Sequence, residues 1–459
     1  MRTHSAHRDE RGAIIIQVAF ALIALLAFTA FVIDYGVMWV SRRQAQNAVD
    51  AGALAGAISL ARDGVVVSPT LNCPPGSATP ACQSARHFTN ANRIFNDLNT
   101  DSNVVVALSG TGSSIPPCNE EPGCVRVDVF RNAPDRGGTT RGGVLPTFMG
   151  GIVGLTSAEQ RARATATAWS ESGNAAECLR PWAVADKWQE FRDGTNGAWS
   201  VMPHPWSPTD TFDKWHKVGN DIVQYANPVD TYTPPVGQTP GTGFTPATDN
   251  GLQLMLKIGT GNNQDVISSG WFKALELPCA SGNVGADCYR ENIAGCTTQT
   301  YSIGDTLTVS TKQGEMVGPT EQGVNGSQQI FGLIQQDPDA RWQKDNPNQP
   351  YVPGVPQPGR VVSSAYPNSP RIVPVALINI DDFLSTDPNG KSTVTIINIM
   401  GFFIEGTCGG NVSYTLESYN DCQQNNGAVV GRLVDYVGLK KGTTTIGDWS
   451  FIHIIQLVR

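Results

Sequence analysis

The sequence is short of charge: Asp, Glu, Lys and Arg make up 16% of 459 residues, and the net balance is −8. Its Lys and Arg residues are scattered, so the clustered basic face that neutralises a row of phosphates is missing and nucleic acid is not an expected partner. Histidine is also scarce. The six present (His4, His7, His87, His204, His216 and His453) show no His-Glu-x-x-His or comparable ligand spacing, which removes the usual signature of a metal enzyme. There is no Gly-x-Ser-x-Gly elbow, and no acid and base pair stands out among the carboxylates. Gly390-Lys391-Ser392 is the nearest thing to a phosphate loop, but Ser385 stands where the first glycine belongs. The strand-like TVTIINIM follows it, so no helix N-terminus would face the anion. These absences lead us to expect no catalytic residues, no cofactor, no metal and no small-molecule substrate.

Glycine and proline are abundant, at 48 and 30 residues, which favours a loop-rich, strand-rich body over a helical bundle. The length calls for two or three folding units. All ten cysteines (Cys73, Cys82, Cys118, Cys124, Cys178, Cys279, Cys288, Cys296, Cys408 and Cys422) lie beyond the N-terminal apolar run, and their number is even. That distribution points to an oxidising compartment, and the lack of any C-x-x-C spacing favours structural disulfides over a zinc or redox centre. Local pairs such as Cys73 with Cys82, Cys118 with Cys124 and Cys408 with Cys422 are plausible, while connectivity stays open.

From Gly12 to Ile33 the chain carries no charge, and at 1.5 Å per residue this run crosses the ~30 Å hydrocarbon core of a bilayer. A cleaved signal peptide is the competing reading. Its apolar core is normally ~7 to 15 residues long and closely followed by a small-x-small site; here the run is longer and the Ala-x-Ala patterns begin only at Ala51. A retained anchor is therefore expected. Arginines flank the run on both sides, so the cysteines decide its orientation: N-terminus cytoplasmic, the remainder outside. Alanine-rich, proline-free sequence continues the helix to about Arg62. Ala48, Gly52 and Gly56 recur every four residues and form a small-residue stripe. Both a partner helix and the protein's own globular part are candidates to pack on it.

Along this helix the chain shows Arg11-Gly12, Ile33-Asp34-Tyr35-Gly36, Arg42, and then Gln46-Asn47-Ala48-Val49-Asp50-Ala51-Gly52-Ala53-Leu54-Ala55. In order and spacing this run resembles the Tad-like pilus-assembly family, the TadE and TadG proteins of tight-adherence (Flp) pilus systems. Ala45 and Gly52 stand where Leu and Ala are usual in that family. Its pilin-like members carry a glutamate five residues after the processed glycine, and Gln17 occupies that place after Gly12. The resemblance therefore implies an unprocessed assembly factor in the inner membrane, working among pilin-like and other pilus-assembly subunits. Some larger relatives carry a metal-dependent adhesion site built on Asp-x-Ser-x-Ser, which this chain lacks; Asp193 to Gly197 is more simply a turn than a calcium loop.

Residues 63–175 predict an α+β unit. Phe88, Ala91, Phe95 and Leu98 fall at helical spacing, Val104 to Leu108, Cys124 to Phe130 and Arg161 to Ser170 have strand character, and VLPTFMGGIVGL has a helix-like pattern. Residues 176–459 predict a β-rich unit with two proline-heavy loops. RIVPVALINI, STVTIINIMGFFIEG, GAVVGRLVDYV and WSFIHIIQLV should be core strands of one sheet or barrel. The whole expectation is an α+β protein: a cytoplasmic N-terminus (1–12), a transmembrane helix (13–40), its extension (41–62), and two disulfide-containing, β-rich extracytoplasmic domains. Six of the ten tryptophans fall between Trp182 and Trp271. They supply an alternative function, an anchored cell-wall-binding or adhesive module, although core packing is the commoner fate of such residues.

Overall fold

The computed structural model describes residues 11–63, 70–109, 123–132, 143–167, 172–192, 197–208, 210–219, 221–258, 270–297, 299–310, 316–366, 368–385, 393–408, 427–442 and 446–458. The chain is an α+β protein that begins with one uninterrupted helix, α1 (Arg11–Asp63), about 80 Å long at the usual rise. No proline interrupts it, and its many alanines and leucines favour the helical state. Its most apolar 18-residue stretch is entirely exposed, so the helix is long and apolar enough to cross a membrane.

Two compact units follow from the contact pattern. The first comprises residues 1–57, 67–167 and 457–459, and the second residues 58–66 and 168–456. The boundary expected near residue 175 therefore lies earlier, at the end of a strand, and the last residues return to the first unit.

In the first unit, β1 (Thr70–Cys73), β2 (Val104–Ser109), β3 (Cys124–Arg131) and β4 (Gln160–Thr167) form an antiparallel sheet in that order, extended by Gln456–Val458. Val104, Val106 and Leu108 of β2 and Val125, Val127 and Val129 of β3 are buried. The helix α2 (Pro80–Ala91) packs on these two strands. Buried Arg86 ties α2 to the strands by donating to the carbonyls of Cys73 and Val104, the latter at 3.0 Å. The alternation expected in RARATATA holds in the first half of β4, where Arg161 and Arg163 are exposed and Ala162 and Ala164 buried. Both arginines pair with buried Asp128 on the neighbouring strand, at 3.0 and 2.7 Å.

Two helical expectations in this unit are corrected. Phe95 and Leu98 do not extend α2, because Phe95 and Asn96 take positive φ (51° and 65°) and turn the chain between short strands Arg93–Ile94 and Asp97–Leu98. Two successive positive-φ residues make the tight turn that suits a hairpin. VLPTFMGGIVGL is likewise no α-helix. Leu145–Pro146 pairs with Ser157–Ala158 around a single 3-10 turn, Gly150–Val153, which Gly154 ends at φ 86°. Proline inside the run and glycine at a left-handed position both oppose a continuous helix.

In the second unit, β5 (Trp182–Ala185), β6 (Gln253–Ile258), β7 (Trp271–Ala274), β8 (Thr306–Thr308), β9 (Ile372–Ile378), β10 (Thr393–Thr407) and β11 (Val429–Val434) form one sheet. Its order is β8-β10-β9-β5-β7-β6-β11, and β10 also pairs with β11. The sheet thereby closes into a six-stranded barrel with β8 added at one side. The 15-residue β10 makes closure possible, since Gly401 to Phe403 are flanked by β9 on one edge and β11 on the other. Alternate side chains enter two hydrophobic clusters: Trp182, Val184, Val373, Val375 and Leu377 in one, Ala183, Ala185, Ala376 and Ile378 in the other. Burial on both faces explains why these strands read as continuous apolar runs. WSFIHIIQLV departs from the expected single strand and forms two short pieces, Ile452–His453 and Gln456–Val458.

Candidate functional site

Beyond Ile33 the exposed apolar surface of α1 gives way to a buried face that includes Asp34, Ser41, Ala45, Ala48, Gly52 and Gly56 and widens toward the helix end to take in Val49, Ala53, Ala57 and Leu60. The spacing of these residues keeps them on one side of a helix. The small residues among them allow close approach of the first unit. A Cβ at Gly52 would collide with Thr89 Oγ1 and lie 2.8 Å from the carbonyl of Ala85; one at Gly56 would lie 2.8 Å from Val125 and 2.9 Å from Ala85. The Thr89 hydroxyl turns back to the Ala85 carbonyl at 2.6 Å, so this hydroxyl is satisfied within its own helix where Gly52 crosses it. Gly52 and Gly56 thus belong to an intramolecular seam with α2 and β3, and Ala48 is fully buried on the same side of the helix. Of the two candidates for that stripe, the protein's own globular part occupies it.

Glutamines bordering the seam fasten the helix to the unit. Gln44 Oε1 accepts from the Phe95 amide at 2.9 Å, Gln46 donates to the Arg163 carbonyl at 3.1 Å, and Gln160 donates to the Met38 carbonyl at 3.0 Å. Asp34, buried at the lower end of the seam, makes the densest contact. Its carboxylate accepts from three successive backbone amides, Phe148 at 2.7 Å, Met149 at 3.1 Å and Gly150 at 2.6 Å. These are the free amides entering the 3-10 turn, and the aspartate caps them from more than a hundred residues away, as an N-cap side chain would locally. Gly36 lies just beyond on the same helix, and a Cβ there would meet nothing within 4 Å. Gly12 and Gln17 sit in the first turns of α1, and Gln17 is exposed.

Thr89, Ala85, Gln44, Gln160 and the Phe148–Gly150 amides were not anticipated. Their only sequence signal is the uncharged TFMGG run, whose glycines mark a turn with unpaired amides.

The cysteines sort unevenly. Cys73 and Cys82 are joined, as the short spacing suggested, and Cys178 is joined to Cys296, 118 residues away. Cys124 and Cys408 are also disulfide-bonded, while Cys118 and Cys422 lie outside the described residues. Cys279 and Cys288 are free thiols, a correction to their candidacy as disulfide partners. Cys279 donates to Glu291 at 3.1 Å, and burial pushes the Cys288 thiol up to about 12, which disfavours its thiolate.

The second unit contains the nearest approach to an acid–base constellation. Glu190 and Asp230 are buried and hydrogen-bonded to each other, which requires one of them to keep its proton. Burial and then the charge of Asp230 push Glu190 up to about 8. The remaining lone pairs are occupied: Glu190 accepts from the Trp188 indole at 3.0 Å and the Arg192 amide at 2.8 Å, Asp230 from the Phe191 and Asp213 amides at 2.8 and 2.5 Å. Nearby Asp186 is raised to about 6 by burial, against hydrogen bonds from Phe244, Tyr232 and Lys187. These carboxyls tie neighbouring loop segments together through the hydrogen bonds just described. Among the described residues no group of three or more His, Cys, Asp or Glu is placed to hold a metal.

The six tryptophans from Trp182 to Trp271 differ in burial. Trp182 and Trp188 are fully buried, Trp206, Trp215 and Trp271 pack partly buried against the core, and Trp199 is half-buried. The Asp193–Gly197 turn and the Ser385–Ser392 segment lie almost wholly outside the described residues.

Residues 12–61 match a family model described as putative Flp pilus-assembly TadE/G-like. Comparison with curated proteins and with solved structures returned no match.

Proposed function

Taking as premise a stem that matches the TadE/G-like pilus-assembly family over residues 12–61, we propose that this chain is a non-enzymatic, membrane-anchored assembly component of a tight-adherence pilus system. Its N-terminus lies in the cytoplasm, α1 crosses the inner membrane, and both β-rich units stand outside it. The observation that carries this reading is the division of α1: an uncovered apolar half suited to lipid and a covered half welded to a disulfide-bonded domain. With the small-residue stripe occupied by its own domain, contact with pilin-like helices falls to the bare surface between Ile14 and Ile33. Gln17 lies there without the carboxylate that would pair with a neighbour's new amine, which supports a retained, unprocessed helix. Mass spectrometry finding a mature chain that starts at Ala13 would overturn that part.

Deleting the gene, imaging surface pili and fractionating wild-type cells tests the proposal. Bald cells together with the intact protein in the inner membrane are the expected result. Normal pili in the deletion strain reject it and favour the wall-binding alternative, which a pull-down on purified peptidoglycan addresses directly. That alternative rests on Trp199, Trp206, Trp215 and Trp271, which keep part of their surface, whereas Trp182 and Trp188 are buried.

A further inference from the structure

The hairpin held by Asp34 carries apolar side chains that the fold does not cover. Phe148, Met149 and Leu155 are 62%, 40% and 65% exposed. Among the described residues of the first unit outside α1, only Leu71 and Leu98 are also large, apolar and exposed, so three of five fall within eight consecutive positions. No charged residue occurs between Arg141 and Glu159, and Phe95 stands edge-on to Phe148 at 6.0 Å.

Position along α1 determines what this surface meets. Asp34 directly follows Ile33, the last residue of the uncharged run, and its hydrogen bonds to Phe148, Met149 and Gly150 hold the hairpin at that height. The helix at this level bears exposed Tyr35 and Trp39, with the Arg43 guanidinium 4.6 Å over the Trp39 ring. Amphipathic aromatic rings and a long basic side chain are what a helix places at the headgroup boundary. The hairpin's apolar tip is therefore continuous with the lipid-facing surface of α1.

We propose that residues 147–155 form a second membrane contact, in which Phe148, Met149 and Leu155 dip into the leaflet on the domain's side of the bilayer and Asp34 positions them. The occupant is lipid, and the inference rests on the reading of α1 as a membrane-spanning anchor. The contact would suppress tilting and rotation of the first unit about a single helix, giving partner subunits a domain with a defined face.

The test uses the full-length chain in vesicles of phosphatidylethanolamine and phosphatidylglycerol, with the photo-reactive residue p-benzoylphenylalanine replacing Phe148, Leu155, Phe28 or Leu71 one at a time. Phe28 lies within the apolar run. Leu71 belongs to β1, which the Cys73–Cys82 bond joins to the α2 end facing Gly56, about 33 Å along α1 from Asp34 at 1.5 Å per residue. Lipid adducts at 148, 155 and 28 but not at 71 are expected. Adducts at 28 without any at 148 or 155, or adducts from 148 and 155 to protein in place of lipid, overturn the proposal and leave the anchor intact. Absence of adducts at 28 rejects the anchor itself. In an Asp34→Ala background the yield at 148 should fall about tenfold while that at 28 is unchanged, since the amides lose a charge-assisted partner; an unchanged yield at 148 removes the positioning role of Asp34.

Discussion

Between Ile14 and Ile33 the stem helix carries bulky, exposed side chains such as Leu25 and Phe28, whereas its buried residues from Ser41 to Gly56 are serine, alanine, glycine and a single valine, Val49. Size and burial run opposite to the usual soluble-protein pattern. Where hydrocarbon is the solvent, large apolar side chains can face outward without cost. Where another helix must come within a few ångströms, only a residue without a side chain fits, and the gain comes from backbone-close packing. On the proposed reading one unbroken helix serves two environments, and Asp34 stands where they meet.

The most direct break of this comparison comes from making the second half resemble the first. Gly52→Leu drives a side chain into Thr89 and the Ala85 carbonyl, backbone that cannot retreat; overpacking of this kind costs about 1 to 3 kcal/mol or more. Limited proteolysis of the detergent-solubilised protein should show the first unit cleaved, whereas Ala24→Leu in the exposed half should leave it resistant. Equal resistance in both variants would refute the seam.

Disulfides sharpen the contrast between the two units. Cys178–Cys296 closes a loop of 118 residues and Cys73–Cys82 one of nine; chain-entropy arguments give about 5 and about 3 kcal/mol. The double substitution Cys178→Ser with Cys296→Ser should lower the melting transition of the second unit more than Cys73→Ser with Cys82→Ser lowers that of the first. The reverse order, followed by calorimetry, would show that native-state packing and not loop closure dominates.

Asp34→Ala is expected to act locally. Hydrogen bonds to a charged group contribute about 1.5 to 3 kcal/mol net, so amide exchange at Phe148, Met149 and Gly150 should quicken markedly while the α1 amides on either side keep their protection. Uniform loss along α1 would contradict a simple clamp.

A pH-dependent effect, confined to the second unit, concerns Glu190. Its carboxyl is raised in the folded state to about 8 from an ordinary value of 4.5, so the native state retains a proton that the unfolded chain releases between those pH values. Stability from this source is present below about 4.5 and is lost as pH climbs toward about 8. The transition temperature of the second unit should decline over that window, and Glu190→Gln should flatten the decline. An unchanged slope in the variant would place the titration elsewhere.

Much of this protein was legible in one dimension because the relevant physics is local. An uncharged apolar run, alanine-rich continuation and absence of proline specify a long helix whatever surrounds it. Alternating or continuously apolar segments specify strands of the half-buried or doubly buried kind. A nine-residue spacing brings Cys73 to Cys82 with little help. Even the small-residue stripe was visible, since Ala48, Gly52 and Gly56 must share a face.

What occupies that face was decided by tertiary structure, because α2 and β3 come from residues 80–131 and their approach depends on sheet pairing that no local pattern encodes. The same holds for Cys178 with Cys296, for the barrel closed by the double pairing of β10, and for the free thiols of Cys279 and Cys288. Asp34 is the sharpest case. Its place at the end of the apolar run was apparent from sequence, but its partners are three amides some 114 to 116 residues away, exposed by a turn that the sequence pattern had suggested was helix. Composition and periodicity determine which segments are helix, strand or membrane-length; which surfaces find each other follows from long-range packing, where a side chain's meaning is set by the atoms it happens to meet.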